Sequence, residues 1–61
     1  MNGKDVIKKL QQEEWKILRI CGSHYRMGKG CLRTTIPVHG NRDLGKGLLR
    51  AIERQSGVLL K

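Results

Sequence analysis

The sequence contains no long apolar run. Its longest uninterrupted apolar stretch is the three-residue segment Val58–Leu60. A transmembrane helix needs about 20 apolar residues, and the apolar region of a secretory signal needs roughly 7–15. The sequence therefore predicts neither a membrane span nor a signal peptide. We expect a cytoplasmic protein with no membrane partner.

Acidic residues are also scarce, with 5 Asp and Glu against 13 Lys and Arg. The carboxylates are not clustered, so a two-metal nuclease centre has no obvious ligands. The only cysteines and histidines are Cys21, His24, Cys31 and His39. They lack the paired short spacings of a structural zinc site, and the cysteines are not expected to form a disulfide. We expect no metal and no cofactor.

The 61 residues are enough for one domain, spanning residues 1–61. A chain of this size buries only about 60% of the surface that its unfolded form exposes, so its core is small. The composition is 38% hydrophobic and 30% charged. These fractions are typical of a globular domain rather than of a disordered tail.

Positive charge is concentrated in the middle of the chain. The formal net charge is +8, and residues 15–50 carry eight basic residues and one acidic residue, a net +7. The basic residues are Lys16, Arg19, Arg26, Lys29, Arg33, Arg42, Lys46 and Arg50. Segregated positive charge on a small domain indicates a polyanionic partner, most often a nucleic acid.

The local patterns predict an α-β-β-β-α order. We expect a helix over Asn2–Gln12, strands over Trp15–Ile20, His24–Met27 and Cys31–Ile36, and a helix over Leu44–Ser56. Asn2 can cap the first helix with Asp5 as its partner, and Gly57 can end the last one. Gly28–Gly30 is a turn signal. Short connections favour an antiparallel sheet, so the fold class is α+β with both helices on one face and the other face open.

The second helix has two candidate surfaces. Helical periodicity places Leu44, Leu48, Ala51, Ile52 and Gln55 on an apolar face, and Lys46, Arg50 and Arg54 on a basic stripe. Such a stripe is usually a solvated face. In an already basic chain, contact with a partner or with phosphate groups is the favoured interpretation.

A candidate catalytic residue lies in the turn between the first two predicted strands. His24 follows Gly22 and Ser23, and Arg19 and Arg26 flank it in the sequence. Imidazole can transfer protons near neutral pH while neighbouring cations hold a polyanion. A lone histidine in a turn is more often a solvated surface residue, so local context leaves both interpretations open.

Several segments together resemble the HicA toxins, small ribonucleases that are paired with HicB antitoxins in bacterial type II toxin–antitoxin systems. The segments are Lys4–Leu10, Trp15, Arg19, Gly22–His24, Ile36–His39, Gly47–Ile52 and Gln55–Gly57. The resemblance implies a double-stranded-RNA-binding-like fold, cleavage of mRNA, and a cognate HicB-type antitoxin. It also implies that His24 is the active-site histidine, and His39 matches a histidine that is frequent after the third-strand proline.

One position departs from the family pattern. The family usually has glycine just before the aromatic residue that opens the first strand, and this chain has Glu14. If the site needs a positive φ, a residue other than glycine costs on the order of 1 kcal/mol. The departure concerns the local backbone and leaves the chemistry unchanged.

The residues and the resemblance predict a metal-free ribonuclease. RNA carries its own nucleophile, the 2′-OH, so the protein must supply a base, an acid and positive charge. We expect His24 to take the 2′-OH proton, and His39 or water to protonate the leaving oxygen. The expected RNA-binding residues are Arg19, Arg26, Lys29, Arg33, Lys46 and Arg50. The alternatives are a non-catalytic RNA-binding module and a basic protein that binds DNA non-specifically.

Overall fold

The computed structural model describes residues 1–60 and has the element order α-β-β-β-α. The elements are α1 (Gly3–Gln12), β1 (Lys16–Cys21), β2 (His24–Lys29), β3 (Leu32–Pro37) and α2 (Lys46–Ser56). The strands form one antiparallel sheet in the order β1-β2-β3. The predicted α+β fold class is confirmed. None of the helices in residues 1–60 is long and apolar enough to cross a membrane.

The start of α1 is a capping box. The Asn2 side chain accepts from the Asp5 backbone N–H at 2.9 Å, and the Asp5 carboxylate accepts from the Asn2 N–H at 3.2 Å. These two bonds satisfy donors that a helix N-terminus otherwise leaves unpaired. The helix then buries Val6, Ile7 and Leu10 along one face. The predicted cap and the predicted apolar stripe are both confirmed.

The end of α1 depends on a strained residue. Glu14 has φ +70°, and it is the one residue other than glycine in residues 1–60 with a positive φ. Its N–H donates to the Gln11 carbonyl at 3.1 Å, and the Trp15 N–H donates to the Leu10 carbonyl at 3.0 Å. This pair of bonds is a Schellman motif, which reverses the chain after a helix. It delivers Trp15 to the core, where 2% of the residue is exposed.

Both helices cover the same face of the sheet. The core side chains come from α1 and α2, from Trp15, and from one face of β2 and β3, where Met27 and Ile36 are fully buried. Strand β1 lies at the sheet edge, and all six of its residues are exposed. The pairing of β1 with β2 is irregular between Ile17 and Arg19, which is a β-bulge. The bulge breaks the period-two alternation of β1, so no apolar face could be read from its sequence.

The predicted Gly28–Gly30 turn is wrong in its position. Gly28 and Lys29 belong to β2, and the turn follows at Gly30 and Cys31. A Cβ atom added at Gly28 would lie 2.6 Å from Leu18 Cδ1 and 2.9 Å from Arg33 Nη1. A side chain at position 28 would therefore require the ends of the Leu18 and Arg33 side chains to move. Gly30 has the positive φ of +59° that the turn requires.

Helix α2 begins later than the sequence predicts. Its first residue is Lys46, with Gly45 as the N-cap, so Leu44 lies in the preceding loop. There the Leu44 N–H donates to the Met1 carbonyl at 2.8 Å. The predicted stop is confirmed, because Gly57 has φ +74° and follows the last helical residue.

The predicted apolar face of α2 is wrong in part, since Ile52 is buried and Leu44 packs against the core as expected, but the other predicted members do not. The residues of α2 that are buried are Ile52 and Ser56, with Leu49 half-buried, whereas Leu48, Ala51 and Gln55 are exposed. Ser56 can be buried because its hydroxyl donates to the Ile52 carbonyl at 2.7 Å and accepts from the Val58 N–H at 3.1 Å. The helix is therefore rotated by about one residue, or 100°, from the expected orientation.

Candidate active site on the open face of the sheet

The face of the sheet opposite the helices presents two cross-strand rows of side chains. Arg19, Arg26 and Thr35 occupy directly opposed positions on β1, β2 and β3. Two residues along β2, the next row on this face consists of Cys21, His24 and Pro37. Alternate residues of a strand share one face and are separated by about 6.5 Å. The register therefore brings His24 and two arginines together on the open face.

Five of these six residues line a single concavity. Its lining residues are Arg19, Cys21, His24, Arg26 and Thr35, and its volume is about 320 Å³. Each of the three strands contributes at least one of them. No carboxylate lines it. The concavity therefore combines one imidazole, one thiol, one hydroxyl and two guanidinium groups, without an acidic residue to neutralise them.

His24 is placed by the turn that precedes it. Gly22 has φ +61°, and the Gly22-Ser23 turn pairs Cys21 directly with His24, the first residue of β2. The Val38 N–H donates to the Ser23 carbonyl at 2.7 Å, which ties the loop after β3 to the same turn.

That connection brings the two histidines together. The ring centroids of His24 and His39 are 6.4 Å apart, and the rings meet edge to face at 86°. Both residues are exposed. Two imidazole rings therefore lie close together, and one of them, that of His24, lines the concavity.

The two arginines of the site form an unneutralised pair. Like charges at directly opposite positions of an antiparallel sheet destabilise it. The Arg26 guanidinium donates from Nη1 to the Thr35 hydroxyl at 3.2 Å, which leaves its charge in place. The ion pair recorded in residues 1–60 joins the N-terminus to Asp43 and lies outside the concavity. Two adjacent cations without a carboxylate partner have the charge that attracts an anion.

The sequence was also compared with protein families. The family described as "HicA toxin of bacterial toxin-antitoxin" matches residues 3–58, which is most of the 61-residue chain. The chain belongs to the HicA toxin family. No curated protein and no solved structure gave a significant match. Membership indicates a toxin of a toxin–antitoxin system, which has an antitoxin partner, and supports an endoribonuclease in general terms.

The basic stripe of this HicA toxin lies apart from His24. Lys46 and Arg50 line a second groove of about 330 Å³, together with Leu49, Glu53 and Leu60. That groove lies along α2, in the layer that covers the opposite face of the sheet. The sequence predicts that Lys46 and Arg50 bind RNA. The structure does not bring either of them to the concavity.

The remaining predicted RNA-binding residues lie at the other end of the hairpin. Lys29 pairs with Leu32 beside the β2–β3 turn, whereas His24 begins β2. Arg33 donates from Nη1 to the carbonyls of Gly30 and Leu32, each at 2.7 Å. This guanidinium stabilises the turn of the HicA toxin and points away from the histidine row.

Cys21 and Thr35 are site residues that sequence reasoning missed. The sequence places Thr35 only within the predicted strand Cys31–Ile36, and it presents Cys21 only as a possible metal ligand or disulfide partner. The register of the strands could have identified both residues. A two-residue Gly22-Ser23 turn fixes Cys21 opposite His24, and the second hairpin fixes Thr35 opposite Arg26. Both cysteines are free and exposed. Within residues 1–60, no cluster of three or more His, Cys, Asp or Glu side chains could hold a metal ion.

Proposed function

We propose that this HicA toxin is an endoribonuclease that cleaves mRNA on the open face of its sheet, with His24 as the catalytic histidine. The observation that carries the proposal is that His24 shares one concavity with Arg19 and Arg26. An imidazole beside two unneutralised guanidinium groups suits a phosphodiester whose neighbouring hydroxyl must be deprotonated. We propose further that residues 1–61 form a single toxin domain and act in the cytoplasm.

The proposed reaction uses the substrate's own nucleophile. His24 removes the proton from a ribose 2′-OH, and that oxygen attacks the adjacent phosphorus. The bond from phosphorus to the 5′-oxygen then breaks, which gives a 2′,3′-cyclic phosphate and a 5′-hydroxyl. Arg19 and Arg26 stabilise the negative charge that builds up on the phosphorane. This proposed step uses no metal ion and no other cofactor.

The leaving 5′-oxygen needs a proton, and His39 or water supplies it. The 6.4 Å between the ring centroids of His24 and His39 supports His39 in this role, because an acid and a base on either side of one phosphate must be separated by a few ångströms. We assign the essential role to His24 alone.

We also propose that a cognate HicB-type antitoxin covers the open face and hides His24. The support is that this face is cationic and uncovered by either helix, so it offers a site for an acidic partner. A partner that binds only the folded chain also stabilises a small domain by mass action. Protection of His24 from chemical modification in the complex would support occlusion, and modification at the free rate would contradict it.

The test of the enzymatic proposal is a cleavage assay with purified protein in EDTA. The substrates are an RNA with mapped cleavage sites, the same RNA with single 2′-deoxy replacements at those sites, and the all-DNA strand. We expect cleavage in EDTA, no cleavage at replaced positions or in DNA, and products that carry a 2′,3′-cyclic phosphate. Efficient cleavage at a replaced position, or complete loss of activity in EDTA, would overturn the mechanism. Tight binding without any cleavage would favour the non-catalytic RNA-binding module.

A further inference from the structure

Arg26 is held in place by a neutral group. Its Nη1 donates to Thr35 Oγ1 at 3.2 Å, and Thr35 lies directly opposite it on β3. A hydroxyl accepts a hydrogen bond without carrying charge, whereas a carboxylate would neutralise the guanidinium. Arg26 therefore keeps its full charge, and the donors that do not contact Thr35 remain free to bind an anion.

The direction in which Arg26 is held matters for the chemistry. Arg19 lies on the other side of Arg26, and both line the concavity that contains His24. An arginine side chain has many rotamers, and a free one loses that freedom when it binds a ligand. A hydrogen bond formed before the substrate arrives removes part of this cost. It also holds the guanidinium within the row of Arg19, Arg26 and Thr35. The backbone positions of the neighbouring row, which contains His24, lie about 6.5 Å further along the strands.

A structural explanation for Thr35 also exists, because threonine is a good strand former. Its neighbour Thr34 shows what a structural threonine does here: it is 3% exposed, and its hydroxyl donates to Gln55 Oε1 of α2 at 2.7 Å. Thr35 lies on the open face of the sheet, and its hydroxyl contacts the Arg26 guanidinium in the candidate site. Valine preserves the branched shape and the strand preference of threonine, so it removes the hydroxyl alone.

We propose that Thr35 is a positioning residue that directs Arg26 at the phosphate on which His24 acts. This rests on the proposed ribonuclease function of the same site. Thr35 touches neither the nucleophile nor the leaving oxygen in this scheme. Its contribution is exerted entirely through the Arg26 guanidinium, which makes the proposal testable by a double-mutant cycle.

The experiment measures single-turnover cleavage of one RNA by Thr35→Val, Arg26→Ala and the double variant. A hydrogen bond to a charged group at an exposed site is worth on the order of 10-fold in the rate constant. We expect Thr35→Val to lose about that factor, and to lose nothing further when Arg26 is already alanine. Thr35→Ser should restore the rate, because it retains the hydroxyl. Thr34→Val is the matched control and should cleave at the wild-type rate when folded.

Thermal melting of each variant separates positioning from folding. Thr35→Val should melt near the wild-type temperature, and if it does not fold, Thr35→Ala and Thr35→Ser provide the same comparison. Equal losses from Thr35→Val in both Arg26 backgrounds, or failure of serine to restore the rate, would overturn the proposal.

A second readout separates this inference from the proposed function. Affinity for the RNA with a 2′-deoxy replacement at the scissile step can be measured even if no cleavage occurs. Coupling between positions 26 and 35 in that affinity, without cleavage by the wild type, would refute the ribonuclease and retain the positioning role. Cleavage by the wild type without any coupling would refute the positioning role alone.

Discussion

The two faces of the sheet are built from the same three strands and have opposite properties. On the helix side, Met27 and Ile36 are fully buried. On the open side, Arg19 and Arg26 stand opposite each other and are exposed. Adjacent threonines of β3 divide in the same way: Thr34 binds α2 through Gln55, and Thr35 binds Arg26.

This contrast shows that the helix side stabilises the domain and that the open side destabilises it. Apolar burial on the helix side stabilises the fold, at roughly 25 cal/mol for each Å² removed from water. Opposed like charges on the open side cost stability, and no carboxylate in the concavity offsets that cost. An anionic ligand would relieve it. Substitutions on the helix side should therefore change stability, and substitutions on the open side should change RNA binding and cleavage.

The largest effect on stability is expected on the helix side. Ile36→Ala removes a fully buried side chain and should lower the free energy of unfolding by about 2–5 kcal/mol. Urea denaturation measures this loss. Because a domain this small has little stability to spare, we expect the variant to be largely unfolded, and its cleavage should fall in proportion to the folded fraction. A loss of cleavage in fully folded protein would contradict the division between the faces.

Arg26→Ala should weaken RNA binding without lowering stability, which is the opposite of the effect expected for Ile36→Ala. RNA binding should weaken, and the slope of log affinity against log salt should decrease by about 0.7 for one phosphate contact on a single strand. The free energy of unfolding should stay the same or rise by up to about 1 kcal/mol, because an opposed pair of like charges is removed. Lys4→Ala, an exposed change of equal charge on α1, is the matched control. Equal slopes for the two variants would contradict a specific contact.

Glu14→Gly should stabilise the helix layer without changing the chemistry. Glu14 has φ +70°, which glycine adopts without the steric penalty of other residues, so we expect a gain of about 1 kcal/mol. Its neighbour Glu13 has φ −99°, so Glu13→Gly is the control and should give no gain. Thermal melting measures both variants. A rise in cleavage rate with Glu14→Gly beyond the rise in folded fraction would contradict the account.

Arg50→Ala tests whether RNA contact extends to the helix layer, and the smallest effect is expected here. The variant should weaken RNA binding to a similar extent for different RNA sequences. The slope of log affinity against log salt should decrease by up to about the amount that one phosphate contact contributes. The decrease should appear with a long RNA and disappear with a four-nucleotide RNA that spans only the concavity. An unchanged slope with both RNAs would assign the basic stripe to antitoxin contact or to solvation.

Signals that act within a few residues were predicted well from the sequence. The capping box at Asn2 and Asp5, the turn at Gly22 and the stop at Gly57 each follow from hydrogen bonds or φ angles set locally. The family pattern also marked the strained position of Glu14. The element order followed from these boundaries, and with it the fold class.

Several features that depend on packing between elements were not predicted. Leu48 and Leu49 are adjacent on α2, so periodicity alone allowed two apolar faces, and packing against the core selected Leu49. Gly28 resembles a turn residue until Leu18 and Arg33 are seen to crowd it. Thr35 joins the site only through the register of β3 against β2. Each of these depends on residues that are distant in the sequence.

The central claim is that His24, on the open face, carries the chemistry. The most direct test measures the cleavage rate of His24→Ala together with its melting temperature. His24 is exposed at the start of β2, so the substitution should leave the melting temperature near that of the wild type. General acid–base catalysis contributes about 10²–10⁴-fold, and the single-turnover rate should fall by at least that order. A folded His24→Ala variant that cleaves RNA near the wild-type rate would contradict the assignment of the chemistry to the open face.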